Sequence, residues 1–323
     1  MHPLENNQEE KFLNYERIQF EGKWLWVPSP VELPIRRIID RDDIMEKALA
    51  AWARLDGLPP LNFRFYGPHG TGKNAIVYRL AQLLKKDLYI INGHEELGPE
   101  DIACSATMTS SQTIEYVASP LFAAMLRGGI CFFDEIGKAP SRALAPLASV
   151  LDDRRTLTSV LAGIHLKAHQ DFLFCAALNE DEEGGFGLPG FIDERTRPAI
   201  YVGCPDVSTL EKILRSHLPG ASNLWFTVFL EELRDKEISP RVAIILLSYA
   251  YRLSRADGRG LTRRHIRGFL RRAWEDLEKG KTDYFEERED QDCQDDQDID
   301  EGEDDDVDGV DLNLLVQEDE ALH

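Results

Sequence analysis

Hydrophobic and polar positions change their period several times along the chain. Near the start, IQFEGKWLWVP alternates around Gly22, which predicts a small hairpin within residues 1–34. Trp24 and Trp26 lie on its second arm and are expected to pack on the main body. From about 35 to 206, short apolar runs alternate with stretches of helical spacing. Ile44, Ala48, Trp52 and Leu55 fall on one helical stripe. Leu61 to Tyr66 reads as a strand, and Ile76, Leu80, Leu83 and Leu84 mark the face of a helix behind it. LYII (88–91), ICFF (130–133), FLFCAAL (172–178) and AIYV (199–202) are further strands. Strands that alternate with helices predict an α/β domain whose parallel sheet is covered on both faces.

From about 207 to 280 the pattern turns all-helical. Ser208 with Glu211 has the spacing of a capping box. Ser239-Pro240 opens a second helix, since proline suits a first turn. Thr262 caps a third, with Ile266, Phe269, Leu270, Ala273, Trp274 and Leu277 turned inward. Residues 281–323 are mostly Asp, Glu and Gln; such a segment buries too little apolar surface to offset its ordering entropy, so disorder is expected.

Charge sharpens this division. The 323 residues carry a net charge of −21. Glu286 to His323 holds 19 acids and one base, Arg288, so the tail contributes −18 and residues 1–285 only −3. The total gives no support to a general attraction to nucleic acid, which needs a positive footprint. The arginine-rich run 258–272 reads as a solvated or subunit-contacting helix face. No apolar stretch approaches the roughly 18–20 residues that span a bilayer, and the start MHPLENNQEE lacks the pattern of a signal peptide. Cys104, Cys131, Cys175, Cys204 and Cys293 form no CxxC pair and read as reduced thiols of a cytoplasmic protein. In the tail, Asp304, Asp306, Asp308 and Gly309 match the opening of a calcium loop. Leu315 stands where a bidentate Glu is required, so that reading is rejected.

Five stretches carry chemistry. GPHGTGKN (Gly67, Pro68, His69, Gly70, Thr71, Gly72, Lys73, Asn74) lies between a strand and a helix, as a phosphate loop requires. Its glycines let backbone N–H groups turn toward phosphate oxygens, the helix N-terminus adds partial positive charge, and Lys73 supplies a full one. Asn74 stands where a Ser or Thr hydroxyl would hold Mg²⁺; its amide oxygen is an alternative ligand with different reach. In ICFFDEIGKAP, an apolar strand runs into Asp134, a Mg²⁺ ligand direct or through water, and Glu135, which would polarise the attacking water. Asn179 closes FLFCAALN, where an amide would hold that water. Arg195 and Arg197 precede the last strand; an arginine that reaches a neighbouring subunit's nucleotide would stabilise charge developed in transfer. Arg241, at the start of a second-domain helix, would fold over bound nucleotide and couple it to domain angle.

Taken in order over residues 35–275, these stretches resemble an AAA+ ATPase of the MoxR type, in its CbbQ/NorQ-like branch. GPHGTGKN resembles Walker A, ICFFDE Walker B, Asn179 sensor 1 and Arg241 sensor 2; RTRP places the arginine finger on Arg195 or Arg197. The run LDDRRTL (151–157) resembles the segment that follows Walker B in that branch, with Arg154 as a further interface candidate. Asn92 matches a polar residue that restrains the catalytic Glu. The resemblance implies a P-loop AAA+ αβα sandwich with a five-stranded parallel sheet at 35–206, an all-α lid at 207–280, and ATP with Mg²⁺ as cofactors. It also implies a ring, usually a hexamer, and a partner bearing a von Willebrand A domain with which a client protein is remodelled. The segment 93–119 falls where the family places a pore-facing insert. Two readings compete: Asn74 in place of Ser or Thr would hold the metal poorly and leave a nucleotide-binding scaffold with weak turnover, and the arginine-rich lid run would suit a nucleic-acid-associated motor.

Overall fold

A computed structural model describes residues 13–34, 38–108, 112–180, 187–234, 236, 238–257 and 262–286, the last with side chains to 279. The acidic tail and its calcium-like run lie outside the described residues. At the centre stand five parallel strands: β3 (Phe63–Gly67), β4 (Leu88–Asn92), β7 (Ile130–Asp134), β10 (Leu173–Asn179) and β11 (Ala199–Tyr201). They pair in the order β11-β3-β10-β7-β4, so the chain crosses over between neighbours. The strands and helices alternate as an α/β sandwich, the architecture that the resemblance implies. Its strands are apolar on both faces because helices cover both. Phe132, Cys175 and Phe63 point into one core with Trp52, Ile76 and Leu80. Cys131, Phe133 and Phe174 point into the other with Phe122, Leu144 and Leu147. Each buried Phe is worth about 1.5–3 kcal/mol of removal from water.

Helices α1 (Asp42–Trp52) and α2 (Lys73–Leu84) belong to the first layer. Short helix α3 (Pro99–Ile102), α4 (Pro120–Arg127), α5 (Ser141–Leu144), α6 (Leu147–Val150) and α7 (Gly190–Arg195) belong to the second. The buried face of α2 is Ile76, Val77, Leu80 and Ala81. Leu83 and Leu84 are instead exposed, because the helix is covered one step round from the expected stripe. Leu55 is likewise exposed, since α1 ends at Trp52. The caps of α4 are plain in sequence: Ser119 Oγ accepts from Phe122 N at 2.9 Å, Pro120 fills the first turn, and Gly128 ends the helix at φ 73°.

A second sheet was not foreseen. The hairpin β1 (Tyr15–Phe20) and β2 (Lys23–Pro28) extends through β6 (Ile114–Ala118) to β5 (Cys104–Met108), with β2 and β6 parallel. Glu115, buried in β6, accepts hydrogen bonds from Trp26 Nε1 at 2.6 Å and from Arg17. Trp24 stays exposed under the Arg17 guanidinium, which lies 4.3 Å from its ring. A third hairpin, β8 (Thr156–Ser159) and β9 (Ile164–Lys167), touches this arm through Lys23 Nζ, which donates to Gly163 O at 2.9 Å.

After β11 the described residues form four helices: α8 (Val207–His217), α9 (Asn223–Glu232), α10 (Pro240–Asp257) and α11 (Arg263–Glu286). The cap of α8 corrects the expected one. Asp206 Oδ1 accepts from Thr209 N at 2.7 Å, while Ser208 lies inside the helix and Glu211 pairs with Arg215. The spacing of a capping box was present, but a better acceptor sits two residues earlier. The described residues up to Glu275 form one unit, and Asp276–Glu286 of α11 belong to a second.

Candidate nucleotide site

Four strand ends converge at the carboxyl edge of the central sheet. Gly67 lies opposite Asn179, and Asn92 opposite Asp134. In open α/β sheets this edge, where strand order reverses, is where ligands are held. A cleft of about 890 Å³ opens there, lined by residues 69–76, Asp134, Glu135 and Asn179 on one wall. Arg241, Ile244 and Ile245 of α10 and Ile213, Ser216 and His217 of α8 form the other wall, with Pro34, Ile38, Ile39, Arg41 and Tyr78 completing it.

The loop 67–73 is shaped by its glycines. Gly70 at φ 74° and Gly72 at φ 97° take left-handed backbone that other residues adopt at a cost. No side chain caps α2, so its first-turn N–H groups face the cleft. Lys73 is buried and its Nζ donates to Gly67 O at 2.7 Å and Pro68 O at 2.9 Å. Thr71 Oγ1 donates to Pro68 O at 3.0 Å. A lysine folded over its own loop, helix-end amides and glycine backbone form a donor set that fits a polyphosphate.

Asn74 Nδ2 donates to Asp134 Oδ2 at 2.5 Å, so the two residues assigned to the cation are in direct contact. Burial pushes the Asp134 carboxyl up; the Asn74 bond opposes this and the neighbouring Glu135 charge adds to it. A carboxylate with an amide oxygen fits a hard cation, which would restore the ionised form. Glu135 adopts φ 52°, a left-handed conformation costly for a residue with a Cβ, of order 1–3 kcal/mol. Its carboxylate pairs with Lys138 Nζ at 2.8 Å. Gly93 makes room: a Cβ there would lie 2.1 Å from Glu135 O, and its N–H donates to Asp134 O at 2.8 Å.

The cleft wall on α10 meets the loop directly. Arg241 N donates to Gly70 O at 3.4 Å, and a Cβ on Gly70 would come within 2.7 Å of Ser239 Oγ. Arg195 and Arg197 line no part of this cleft in their own chain. Arg195 Nη1 donates to Phe191 O on its own helix at 3.0 Å, whereas Arg197 reaches outward with a side chain 65% exposed, paired to Asp193. Arg154 is exposed and paired with Asp152. The structure thus gathers Gly67, Gly70, Lys73, Asn74, Asp134, Glu135, Asn179 and Arg241 and leaves the arginine pair apart. Sequence reasoning missed the apolar walls and the Lys138 partner. The apolar pair Ile38-Ile39 was the available signal for one wall.

Residues 62–192 match the family described as "AAA domain (dynein-related subfamily)". An uncharacterised protein of Staphylococcus aureus (strain USA300) is 32% identical over 158 residues, 48% of this chain and 60% of the relative. An uncharacterised protein of Staphylococcus epidermidis is 32% identical over 127 residues, 38% of this chain and 48% of the relative. The chain therefore spans about half the length of the curated relatives it matches. Among solved structures, the Thermotoga maritima RuvB Holliday junction branch migration motor superposes with a TM-score of 0.50 at 15% identity, over 72% of this chain and 69% of that one. A single-residue variant of that motor gives 0.52 at 16% identity, over 72% and 70%. No helix among the described residues is long and apolar enough to cross a membrane.

Proposed function

We propose, from the AAA+ fold as premise, that the chain is a Mg²⁺-dependent ATPase of the MoxR type. In this reading, cytoplasmic copies assemble into a ring, hexameric by family habit, that remodels a client protein with a partner bearing a von Willebrand A domain. The observation that carries the reading is the meeting of Lys73, Asn74, Asp134, Glu135, Asn179 and Arg241 around one cleft whose loop fits a polyphosphate. Loop amides and Lys73 hold the phosphates. Asn74 and Asp134 hold Mg²⁺, which when bound neutralises charge on the transferring phosphoryl group. Glu135 orients the attacking water and takes its proton, Asn179 fixes that water, and Arg241 senses the nucleotide from the lid. Arg195 or Arg197 of a neighbouring copy completes the site.

The test is steady-state ATP hydrolysis with Mg²⁺ by the wild-type protein and Glu135→Gln. Loss of a positioned base is expected to lower kcat by about 10²–10⁴-fold while fluorescent-nucleotide affinity is kept. An unchanged rate in the variant sinks the reading. The Asn74–Asp134 bond supports a second reading, a nucleotide-binding scaffold with slow turnover: an amide nitrogen donating to Asp134 must turn before its oxygen meets a cation. Large activation on Asn74→Thr favours the scaffold, and a neutral or harmful effect the motor.

A further inference from the structure

Arg64 is an anomaly. It sits mid-strand in β3, 8% exposed, with Phe63 and Phe65 on either side fully buried. A cation in that position is costly unless paired. Among the described residues its side-chain partners lie in one segment, at the end of α7. Nη1 donates to Asp193 O at 3.0 Å, to Thr196 Oγ1 at 3.0 Å and to Thr196 O at 3.4 Å, and Nη2 pairs with the Asp193 carboxylate. Its Nε is buried without a partner among the described residues. Asp193 uses its other oxygen to hold Arg197. The backbone follows the same line: Arg64 N donates to Pro198 O at 3.3 Å, and Ala199 lies opposite Arg64.

We propose that Arg64 and Asp193 are positioning residues for Arg197, the buried guanidinium fixing the carboxylate and the carboxylate aiming Arg197 at a nucleotide held by a second copy of this chain. This rests on the ATPase reading above. It selects Arg197 over Arg195, which is tied to its own helix and has its Nε buried. In this pair the Arg64 side chain is 10% exposed and that of Asp193 29%, so the buried guanidinium anchors a carboxylate that still reaches the surface beside Arg197. It also joins two sites. Gly67 lies three residues beyond Arg64 on the same strand, so a shift of one copy's phosphate loop reaches the guanidinium that copy offers its neighbour.

The test uses full-length Asp193→Asn, Asp193→Ala, Arg197→Ala and the double variant Asp193→Ala/Arg197→Ala. Arg197→Ala is expected to lower kcat by about 10²–10³-fold, and Asp193→Ala by about 10–10²-fold through misplacement of the group. Nucleotide affinity should fall less than kcat, because neither Asp193 nor Arg197 lines the cleft of its own chain. The double variant should match Arg197→Ala alone, since both changes act through one group. Asp193→Ala subunits mixed with Glu135→Gln subunits should regain activity, as the latter lend an intact Arg197; a general folding defect gives no such rescue. Wild-type kcat in both Asp193 variants, additive losses, or failure of rescue overturns the positioning role while leaving the ATPase reading intact. A wild-type protein without hydrolysis removes both.

Discussion

Asp134→Asn tests whether the cation end of the cleft is held against its own stability. Asp134 is partly buried at the end of β7, and burial is the main force pushing its carboxyl up. Asn74 donates to it, but the adjacent Glu135 charge opposes ionisation. At neutral pH the ionised carboxylate is therefore less comfortable folded than unfolded. Asparagine has the same shape and keeps an acceptor for Asn74. Relief of such functional-site stress stabilises by roughly 0.5–2 kcal/mol, and at roughly 2–4 °C per kcal/mol the melting temperature should rise by about 1–8 °C. The pH dependence follows from the direction of the shift. A carboxyl raised in the folded state supports folding while protonated, and that support is lost as pH climbs from about 3.9 through the folded value. The two proteins should thus melt together near pH 4 and separate by pH 7.5. Melting is followed by circular dichroism in EDTA without nucleotide, with Mg²⁺-ATP hydrolysis measured beside it. Hydrolysis should be lost in the variant, and added Mg²⁺-ATP should stabilise wild type more. A wild-type protein that melts above the variant at pH 7.5, or a gap that ignores pH, refutes the reasoning.

Other sites give independent checks. Gly70→Ala places a Cβ 2.7 Å from Ser239 Oγ at φ 74°, so the loop and the start of α10 must part; nucleotide affinity measured by titration calorimetry should fall at least tenfold, and unaltered affinity would show that this contact is idle. Asp206→Ala removes the side-chain acceptor of the α8 cap and should cost about 1 kcal/mol in urea unfolding. Native protein at pH 8 should alkylate at exposed Cys204, while Cys104, its thiol pushed up to about 12 by burial, and the buried Cys131 and Cys175 stay unlabelled in peptide mass maps.

The parts legible in the sequence were those written in contiguous residues. GPHGTGKN announces a strand, a turn and a helix start in eight positions, and the apolar runs before Asp134 and Asn179 mark strands that end at one edge. The rest depends on distant segments. The cleft walls combine Ile39, Ile213 and Ile245, which no local period connects. The pairing of β2 with β6 joins residues some 90 apart, and its determinant, Glu115 between Arg17 and Trp26, reads locally as one surface acid. The α8 cap differs for another reason: two local patterns compete, and the one observed is Asp206 Oδ1 accepting from Thr209 N. Glu135's left-handed backbone is invisible in sequence, and so is the close approach of Gly93, 42 residues earlier, to its carbonyl.

Strand β3 is where these observations meet. Its last residue, Gly67, begins the phosphate loop and pairs in register with Asn179. Its second residue, Arg64, holds the segment that carries Arg197, and its other edge pairs with β11, which starts two residues after Arg197. A close-packed interior deforms little, so a displacement at one end of a short buried strand is transmitted rather than absorbed. Gly67 reinforces this: a Cβ there would lie 2.4 Å from Val202 O, which leaves no slack between the loop and the end of β11. In the proposed ring, communication between neighbouring copies would then require no separate hinge. One strand of five residues connects the loop proposed to hold a copy's own phosphates to the segment that carries Arg197, the group proposed to reach a neighbour. Loosening that strand at Arg64 should uncouple the copies before it unfolds them.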